Sequence, residues 1–479
     1  MALTPIRFGT DGWRAVIAED FTFANVERVA QAAADYWITR PPEGTLPLAV
    51  VGYDRRFLSD AFAKRTAEVF AGNGLEVILT PTPTPTPAVS LAVREHHAVG
   101  GVMITASHNP PAFNGFKLKA WFGGAAAADI CRGVESLLDR RPVTTIPFAE
   151  AKPQRLLSQI DLRVRHESVI KRFVDFKRIA KSGLRFAHDA MFGVGAGCFD
   201  RLLRGTTCKV TTLNGAHDPL FGGINPEPIA ANYAASARFL RRDPHDLCLV
   251  TDGDADRIGG MTGRGDPIST HQLICLLARH QHVNRGLSGR VVKAINTTSM
   301  LDKMCAEWGL PLVETGIGFK HIGMEMLAGD VMLGAEESGS VGFLNHIPER
   351  DGILAGMLLL EMLAMEKRGI RSLLTALEKR YGPHRYARLD CRFPLEHRPA
   401  LMEYCKQNPP SKLLRSPVVD VKTSDGVKFI AKDASWLMIR GSGTEPIVRI
   451  YAETSSDTGA KRLLIEGNKI LTRSLGLAT

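Results

Sequence analysis

Asp252, Asp254 and Asp256 stand at two-residue spacing, interleaved with Gly253 and Ala255 and followed by Arg257. Carboxylates crowded in this way repel one another unless a cation sits among them. Hard oxygen ligands favour Mg²⁺, Mn²⁺ or Ca²⁺ over zinc. In an extended chain the side chains at i, i+2 and i+4 share a face, so all three can turn to one ion. A calcium EF-hand loop opens alike, but it requires Gly where Arg257 stands and a bidentate Glu where Gly263 stands, which excludes it twice. The bland alternative is a solvated acidic turn.

A second cluster offers the trio a reaction partner. Thr105, Ala106, Ser107, His108, Asn109, Pro110 and Pro111 are followed by Asn114, Gly115, Phe116 and Lys117. Asn-Pro and Asn-Gly are turn signals, so Ser107 is expected outside regular structure, beside the His108 imidazole, with Lys117 returning to the same place. Read alone, a Ser-His pair of this kind is more often a turn with local hydrogen bonds. The Gly-x-Ser-x-Gly elbow of serine hydrolases is absent, which disfavours acyl transfer. A hydroxyl set against metal-bound carboxylates points to phosphoryl chemistry instead.

Two further clusters suit a phosphorylated sugar. Arg440, Gly441, Ser442, Gly443, Thr444, Glu445 and Pro446 combine glycines that let backbone N–H groups converge, hydroxyl donors and a planar guanidinium fork. Together they make an anion nest, which Arg449 can complete; the alternative is a glycine-rich hairpin loop. Gly334-Ala335-Glu336-Glu337-Ser338-Gly339-Ser340 places two carboxylates and two hydroxyls in one turn, a match for vicinal sugar hydroxyls, each a donor and an acceptor. Read alone, it is a helix cap or an exposed turn.

In this order and spacing the four clusters resemble the α-D-phosphohexomutase superfamily, the phosphoglucomutases and phosphomannomutases, over nearly the whole chain. Phe8-Gly9-Thr10-Asp11-Gly12-Trp13-Arg14 and Arg350-Asp351-Gly352 belong to the same pattern. The resemblance implies that Ser107 is a phosphoserine and that Asp252, Asp254 and Asp256, with Ser107, hold Mg²⁺. It also implies that Arg14, Lys117 and Arg257 line the reaction centre beside His108, with Lys117 a proton shuttle. Glu336 and Ser338, with Ser340, would hold sugar hydroxyls. Arg440, Ser442, Gly443 and Thr444 would grip the non-reacting phosphate, with Arg449 and Lys320 adding positive charge. The implied activity is interconversion of hexose 1-phosphate and hexose 6-phosphate through a bound hexose 1,6-bisphosphate, which also serves as activator. One departure bears on specificity. Bacterial phosphomannomutases typically end the sugar loop in His, where this chain has Ser340, and Glu336-Glu337-Ser338 looks more like the phosphoglucomutase form. Glucose is therefore the expected sugar, with mannose and glucosamine as alternatives and a metal-dependent sugar phosphatase as a more distant one. The loss of that His leaves Lys117, His108 and His346 as open candidates for the base.

The elements that must position these groups repeat. Leu48 to Tyr53, Ser59 to Asn73 and Glu76 to Leu79 read as strand, helix, strand. So do Leu184 to Ala187, Phe199 to Arg204 and Lys209 to Thr212, and again Arg290 to Ile295, Ser299 to Trp308 and Pro311 to Glu314. Thr86-Pro87 reads as the N-cap and first turn of a helix closing a stiff proline-rich connection. Past Tyr381-Gly382-Pro383 the pattern changes to short strands and a helix from Asp457. The expected fold is α/β: three related mixed α/β domains (1–152, 153–262 and 263–382) and a smaller C-terminal α+β domain (383–479), around a central cleft. The last domain, carrying an anion clamp, is expected to act as a lid.

Composition adds limits. The 479 residues are 44% hydrophobic and 23% charged, as in ordinary globular proteins. The net charge of +10 allows a nucleic-acid reading, but Lys and Arg are dispersed without a basic run of five, and scattered charge suits a phosphorylated small molecule. Gly193, Gly195 and Gly197 do not complete a dinucleotide fingerprint, because Cys198 takes the final position. The eight cysteines have no zinc-like spacing and are expected as reduced core residues. The first residues lack an apolar signal region and the Ile353 to Leu360 run stops at Glu361, so neither a membrane nor a nucleic-acid partner is expected and the cytoplasm is the expected location. Oligomeric state is left open.

Overall fold

Leu247-Cys248-Leu249-Val250 offers no polar side chain to water, and in the computed structural model it forms the wholly buried strand Leu247–Thr251, which ends just before Asp252. The structure describes residues 5–442 and 446–475. These divide into two compact units, one containing residues up to 288 together with 318–371, the other containing 289–317 and the chain from 372 onward.

In the first unit a six-stranded sheet runs Trp13–Val16, Phe113–Ala120, Ala98–Ile104, Leu46–Tyr53, Glu76–Leu79 and Leu157–Gln159 in spatial order. Its inner strands pair in parallel, while Phe113–Ala120 and Trp13–Val16 run antiparallel to their neighbours. Parallel strands need cover on both faces. Alternate residues of Leu46–Tyr53 provide it: Ala49 and Val51 pack into one apolar cluster with Trp37, Phe62 and Phe70 of the helices Phe23–Thr39 and Ser59–Gly72, whereas Leu48 and Val50 pack into another with Val89 and Val93 of Thr86–Glu95.

A five-stranded sheet follows, ordered Pro267–Ile268, Ile258–Thr262, Leu247–Thr251, Arg185–Asp189 and Lys209–Leu213. The aspartate trio therefore leaves the central strand, and Ile258–Thr262 returns antiparallel to it. The antiparallel pair Val331–Ala335 and Val341–Phe343 carries the Glu336 turn between its strands. The largely apolar helix Gly352–Glu366, with Glu361 buried in it, begins just after it, capped by Asp351, whose Oδ1 accepts from the N–H groups of Ile353 (3.1 Å) and Leu354 (2.9 Å). Such a cap contributes about 1 kcal/mol.

In the second unit Arg290–Ala294 and Leu312–Thr315 pair in parallel across the helix Met300–Trp308. A six-stranded sheet follows, ordered Arg385–Arg392, Ile447–Thr454, Trp436–Gly441, Val427–Ala431, Ser416–Lys422 and Lys412–Leu413, all pairs antiparallel, with the helices Arg398–Gln407 and Asp457–Ser474. Its core joins Phe429, Leu437 and Ile450 to Leu401 and Leu463 of those helices. All eight cysteines are free; five lie in the core as expected, but Cys131, Cys208 and Cys391 are only partly buried.

Two local readings change. Thr86 is the first helical residue, not the cap; Pro85 precedes the helix in extended geometry, and the Thr86 hydroxyl is engaged elsewhere. Asn114-Gly115 lies inside the strand Phe113–Ala120 rather than in a turn. Pairing with Trp13–Val16 overrides the local turn preference there, and the Asn114 amide donates to Ser59 Oγ at 2.9 Å.

Candidate active site

Ala98–Ile104 delivers the chain to Thr105, beyond which Ser107 takes φ 51°, a left-handed conformation that costs a residue with a Cβ on the order of 1 kcal/mol or more. The surroundings enforce it. Ser107 N donates to Thr105 Oγ1 (2.8 Å), which in turn donates to Asp54 Oδ2 (2.6 Å). Arg56 fills the loop from inside: Nη2 donates to the carbonyls of Ser107 and Asn109, both at 2.7 Å, and Nη1 to those of Pro110 (2.8 Å) and Phe113 (3.0 Å). Asp54 lies 3.2 Å from Arg56 Nε and pairs its buried charge, although burial pushes the Asp54 carboxyl above its ordinary pKa.

The Ser107 hydroxyl donates to Asp252 Oδ2 at 2.9 Å. Asp252, Asp254 and Asp256 are fully buried and each presents a carboxylate oxygen within 4.8 Å of the others. Asp254 Oδ1 and Asp256 Oδ1 are buried without a hydrogen-bond partner. Unpartnered hard oxygens on converging carboxylates fit a divalent cation such as Mg²⁺. Burial first, then the charges of Asp254 and Asp256, push the Asp252 carboxyl well above its ordinary pKa. Asp254 is held below its ordinary value against its own burial by Lys117, and by the Thr86 hydroxyl at 2.6 Å.

A cationic shell surrounds the trio. Lys117 Nζ lies 2.7 Å from Asp254 Oδ2, 3.0 Å from Asp256 Oδ2 and 2.9 Å from Asp11 Oδ2. Burial favours the neutral amine, but Asp11, Asp254 and Asp256 outweigh it and raise the Lys117 pKa. Arg350 Nε stands 2.8 Å from Asp256 Oδ2, and its Nη2 pairs with Asp11. Arg257 Nε is 3.9 Å from both Asp252 Oδ2 and Asp256 Oδ1. Arg14 reaches Asn109 Oδ1 (2.7 Å) and Asp11 Oδ2 (3.1 Å). His108 Nδ1 is 3.5 Å from Ser107 Oγ.

The Glu336 turn is stitched to the strand leaving the trio: Ile258 N donates to the Gly339 carbonyl at 3.0 Å, and Arg257 forms a β-bridge with Ser340. Glu336 Oε1 accepts from Gly318 N at 2.8 Å, just ahead of Lys320 on the helix Phe319–Leu327. Burial, set against the Arg350 charge, moves the Glu336 pKa up to about 7. The Ser338 and Ser340 hydroxyls are 3.0 Å apart, with Ser340 wholly buried. In the second unit, Arg440 and Arg449 are directly opposite on Trp436–Gly441 and Ile447–Thr454. Arg440 Nε donates to Asp425 Oδ1 (2.8 Å) and Arg449 Nε lies 3.6 Å from Asp390 Oδ2. The Ser442 N–H donates to the Ile447 carbonyl at 2.9 Å. Gly443 and Thr444 lie outside the described residues.

Sequence patterns of the phosphoglucomutase/phosphomannomutase family match four successive segments: α/β/α domain I over residues 5–142, domain II over 166–265, domain III over 269–381 and the C-terminal domain over 402–466. A crystal structure from Thermus thermophilus, named for phosphomannomutase, is 36% identical and superposes with a TM-score of 0.85, covering 98% of this chain and 99% of that one. The chain belongs to the α-D-phosphohexomutase superfamily. Other relatives of this phosphohexomutase are the phosphoglucomutase of Komagataeibacter xylinus, 28% identical over 95% of this chain and 88% of its own, and the phosphoglucosamine/phosphogalactosamine mutase of Sulfurisphaera tokodaii, 29% identical over 97% and 98%.

Within the first unit of this phosphohexomutase, Ser107, His108, Arg14, Lys117, Arg257 and the three aspartates come together. The structure places three of the candidates as follows. Lys117 is held charged by three carboxylates, Asp11, Asp254 and Asp256. His346 is buried with Nε2 on Asp351 Oδ2 (2.9 Å), which also takes His166 Nε2 (2.7 Å), so it supports the cap of Gly352–Glu366 instead of serving as a base. Ser340 is buried against Ser338. The residues that sequence reasoning missed are Asp54, Arg56 and Thr86; Asp11 and Arg350 stood inside motifs without a role. Asp54 and Arg56 had one signal, the run of three charged positions Asp54-Arg55-Arg56 directly after an apolar strand.

Gly253 sets the distance between serine loop and trio, because an added Cβ would meet the Ser107 carbonyl at 2.5 Å. Gly253→Ala is expected to lower kcat on the order of 100-fold through displacement of Ser107, while the melting temperature falls by only a few degrees. An unchanged kcat would show that this spacing is not needed. Glu336 gives a pH-dependent test. Its folded pKa of about 7 lies above the ordinary 4.5, so its contribution to stability is fully present below about pH 4.5 and is lost as pH rises through 7. Glu336→Gln keeps an acceptor for Gly318 and removes the ionisation. It is expected to match the parent in urea unfolding near pH 4.5 and to exceed it by about 3 kcal/mol near pH 8.5. A constant difference across that range would show that Glu336 does not titrate this way.

Proposed function

We propose that this chain is a phosphoglucomutase, interconverting glucose 1-phosphate and glucose 6-phosphate, with activity toward mannose phosphates as well. The observation that carries the reading is the Ser107 hydroxyl, clamped in a left-handed conformation 2.9 Å from the buried aspartate trio. Asp252, Asp254 and Asp256, together with Ser107, would hold Mg²⁺. When bound, that ion supplies positive charge to offset the transferring phosphoryl group.

In the first half-reaction the bond from phosphorus to Ser107 Oγ breaks and a bond forms from phosphorus to the free hydroxyl of the hexose monophosphate. The proton of that hydroxyl ends on Ser107 Oγ, so the site then holds serine and hexose 1,6-bisphosphate. After the bisphosphate turns round, the same exchange in reverse returns the other phosphoryl group to Ser107. Positioning and charge do most of the work in such a transfer. Arg56 fixes Ser107, while Lys117, Arg14 and Arg257 supply fixed positive charge. Glu336 and Ser338 orient the sugar, with Lys320 on the neighbouring helix. In the second unit, Arg440, Arg449 and Ser442 are the phosphate-binding groups. Added hexose 1,6-bisphosphate rephosphorylates enzyme that has lost its phosphate. The division into domains 1–152, 153–262, 263–382 and 383–479 belongs to the same proposal.

The preference for glucose rests on Ser340 standing where the phosphomannomutase form of the loop has His. A phosphoglucosamine mutase is the second reading, favoured by the Sulfurisphaera tokodaii relative. Turnover of glucose 1-phosphate, mannose 1-phosphate and glucosamine 1-phosphate by one preparation, with Mg²⁺ and the matching bisphosphate, separates them. The glucose ester is expected to give the highest kcat/KM; a higher value for glucosamine 1-phosphate overturns the assignment.

A further inference from the structure

The first unit also contains a cavity of about 620 Å³, a size usual for small-molecule sites, and none of its lining residues belongs to the reaction centre. Phe122, Val331 and Phe343 form a buried apolar wall, and Trp121 and Leu327, each 42% exposed, flank the opening. Among the described residues, Arg94 is the one Arg or Lys in the lining, which also includes the polar Glu43, Thr45, His97, Asn345 and His346. Arg94, half-buried on the last turn of Thr86–Glu95, donates from Nη1 to the His346 carbonyl at 2.9 Å. It has no carboxylate in ion-pairing reach among the described residues. Its neighbour Glu95 is held by Arg165 through two hydrogen bonds of 2.7 Å, and Glu43, also lining the cavity, is exposed. A guanidinium has five N–H donors in a planar fork, and one donated bond leaves most of it for a ligand.

A purely apolar ligand would leave the guanidinium desolvated and uncompensated. We propose that this cavity binds an amphiphilic carboxylate, its apolar body against Phe122, Phe343 and Leu327 and its carboxylate on Arg94. The site is separate from the sugar-phosphate site. An alkyl chain and a flat aromatic ring share this chemistry, so decanoate and 1-naphthoate serve as the two probes, with decanol as the uncharged control.

Calorimetric titration of the full chain, with glucose 1,6-bisphosphate saturating the reaction centre, is expected to show one equivalent of decanoate or 1-naphthoate bound. The tighter of the two identifies the ligand body. Arg94→Met is expected to weaken the carboxylate at least about tenfold and to leave decanol within about twofold, with mutase turnover kept. Leu327→Glu, at an exposed position that tolerates a charge, provides a second test and is expected to weaken both carboxylates. The proposal is overturned if neither probe binds at millimolar concentration, if the bisphosphate displaces the probe, or if binding survives unchanged in Arg94→Met or, should that variant not fold, in Leu327→Glu.

Discussion

Ser107→Ala is expected to lower hexose-phosphate mutase turnover by on the order of 10⁴-fold or more, because it removes the only protein atom that the proposed reaction phosphorylates. The fold should survive. The Ser107 hydroxyl donates to Asp252, but the loop is held by Arg56 through four carbonyl contacts and by Thr105 at the Ser107 N–H, none of which involves the Ser107 side chain. Alanine at φ 51° is strained much as serine is, so the loss of stability should stay near 1 kcal/mol. The decisive comparison is therefore kcat against melting temperature in one preparation, with phosphopeptide mapping of the parent and the variant. Phosphate found on Ser107 in the parent and absent from the variant supports the transfer. Wild-type turnover by the variant removes Ser107 from the mechanism. Steady release of inorganic phosphate by the parent from glucose 1-phosphate would instead favour the phosphatase reading.

The parts of this site legible in the sequence are those encoded locally. An apolar run ending in Asp252 specifies a buried strand, and two-residue spacing then places three carboxylates together without knowledge of the rest of the fold. The apolar pattern of Leu48 to Tyr53 likewise announced a strand, found as Leu46–Tyr53. Contacts between residues far apart in the chain left no local mark. Arg350 meets Asp11 across 339 positions, and Arg56 reaches Ser107 across 51. Neither pairing has a periodicity or spacing to reveal it. The interruption of the first compact unit by residues 289–317 is equally invisible, because it depends on which strands pair and not on what either strand contains. Asn114-Gly115 shows the opposite case: its turn signal was clear, and strand pairing overrode it. The strain at Ser107 could not be read either, since a positive φ at a residue with a Cβ arises from the surroundings that impose it.

Those same surroundings set the expected response to chelation. Exhaustive EDTA treatment is expected to lower turnover by on the order of 10³-fold or more, with recovery on added Mg²⁺, because fixed cations alone cannot replace a divalent charge at the transferring group. Stability should respond far less. Lys117 already pairs with Asp11, Asp254 and Asp256, and Arg350 with Asp11 and Asp256, while Arg257 lies 3.9 Å from Asp252 and Asp256. The repulsion within the trio is thus largely offset by the chain itself. Mg²⁺ at about 100 times its Kd adds only about 2.7 kcal/mol, a shift of a few degrees at most for a protein of this size. Ca²⁺, larger and less demanding in geometry, should restore stability better than turnover. Asp252→Asn distinguishes ion binding from a general acidic requirement: it keeps an acceptor for the Ser107 hydroxyl, yet both the thermal shift with Mg²⁺ and the recovery of turnover should be lost. Full turnover after chelation would exclude a metal role for Asp252, Asp254 and Asp256. A large loss of folding without Mg²⁺ would show instead that Lys117, Arg350 and Arg257 do not balance the trio.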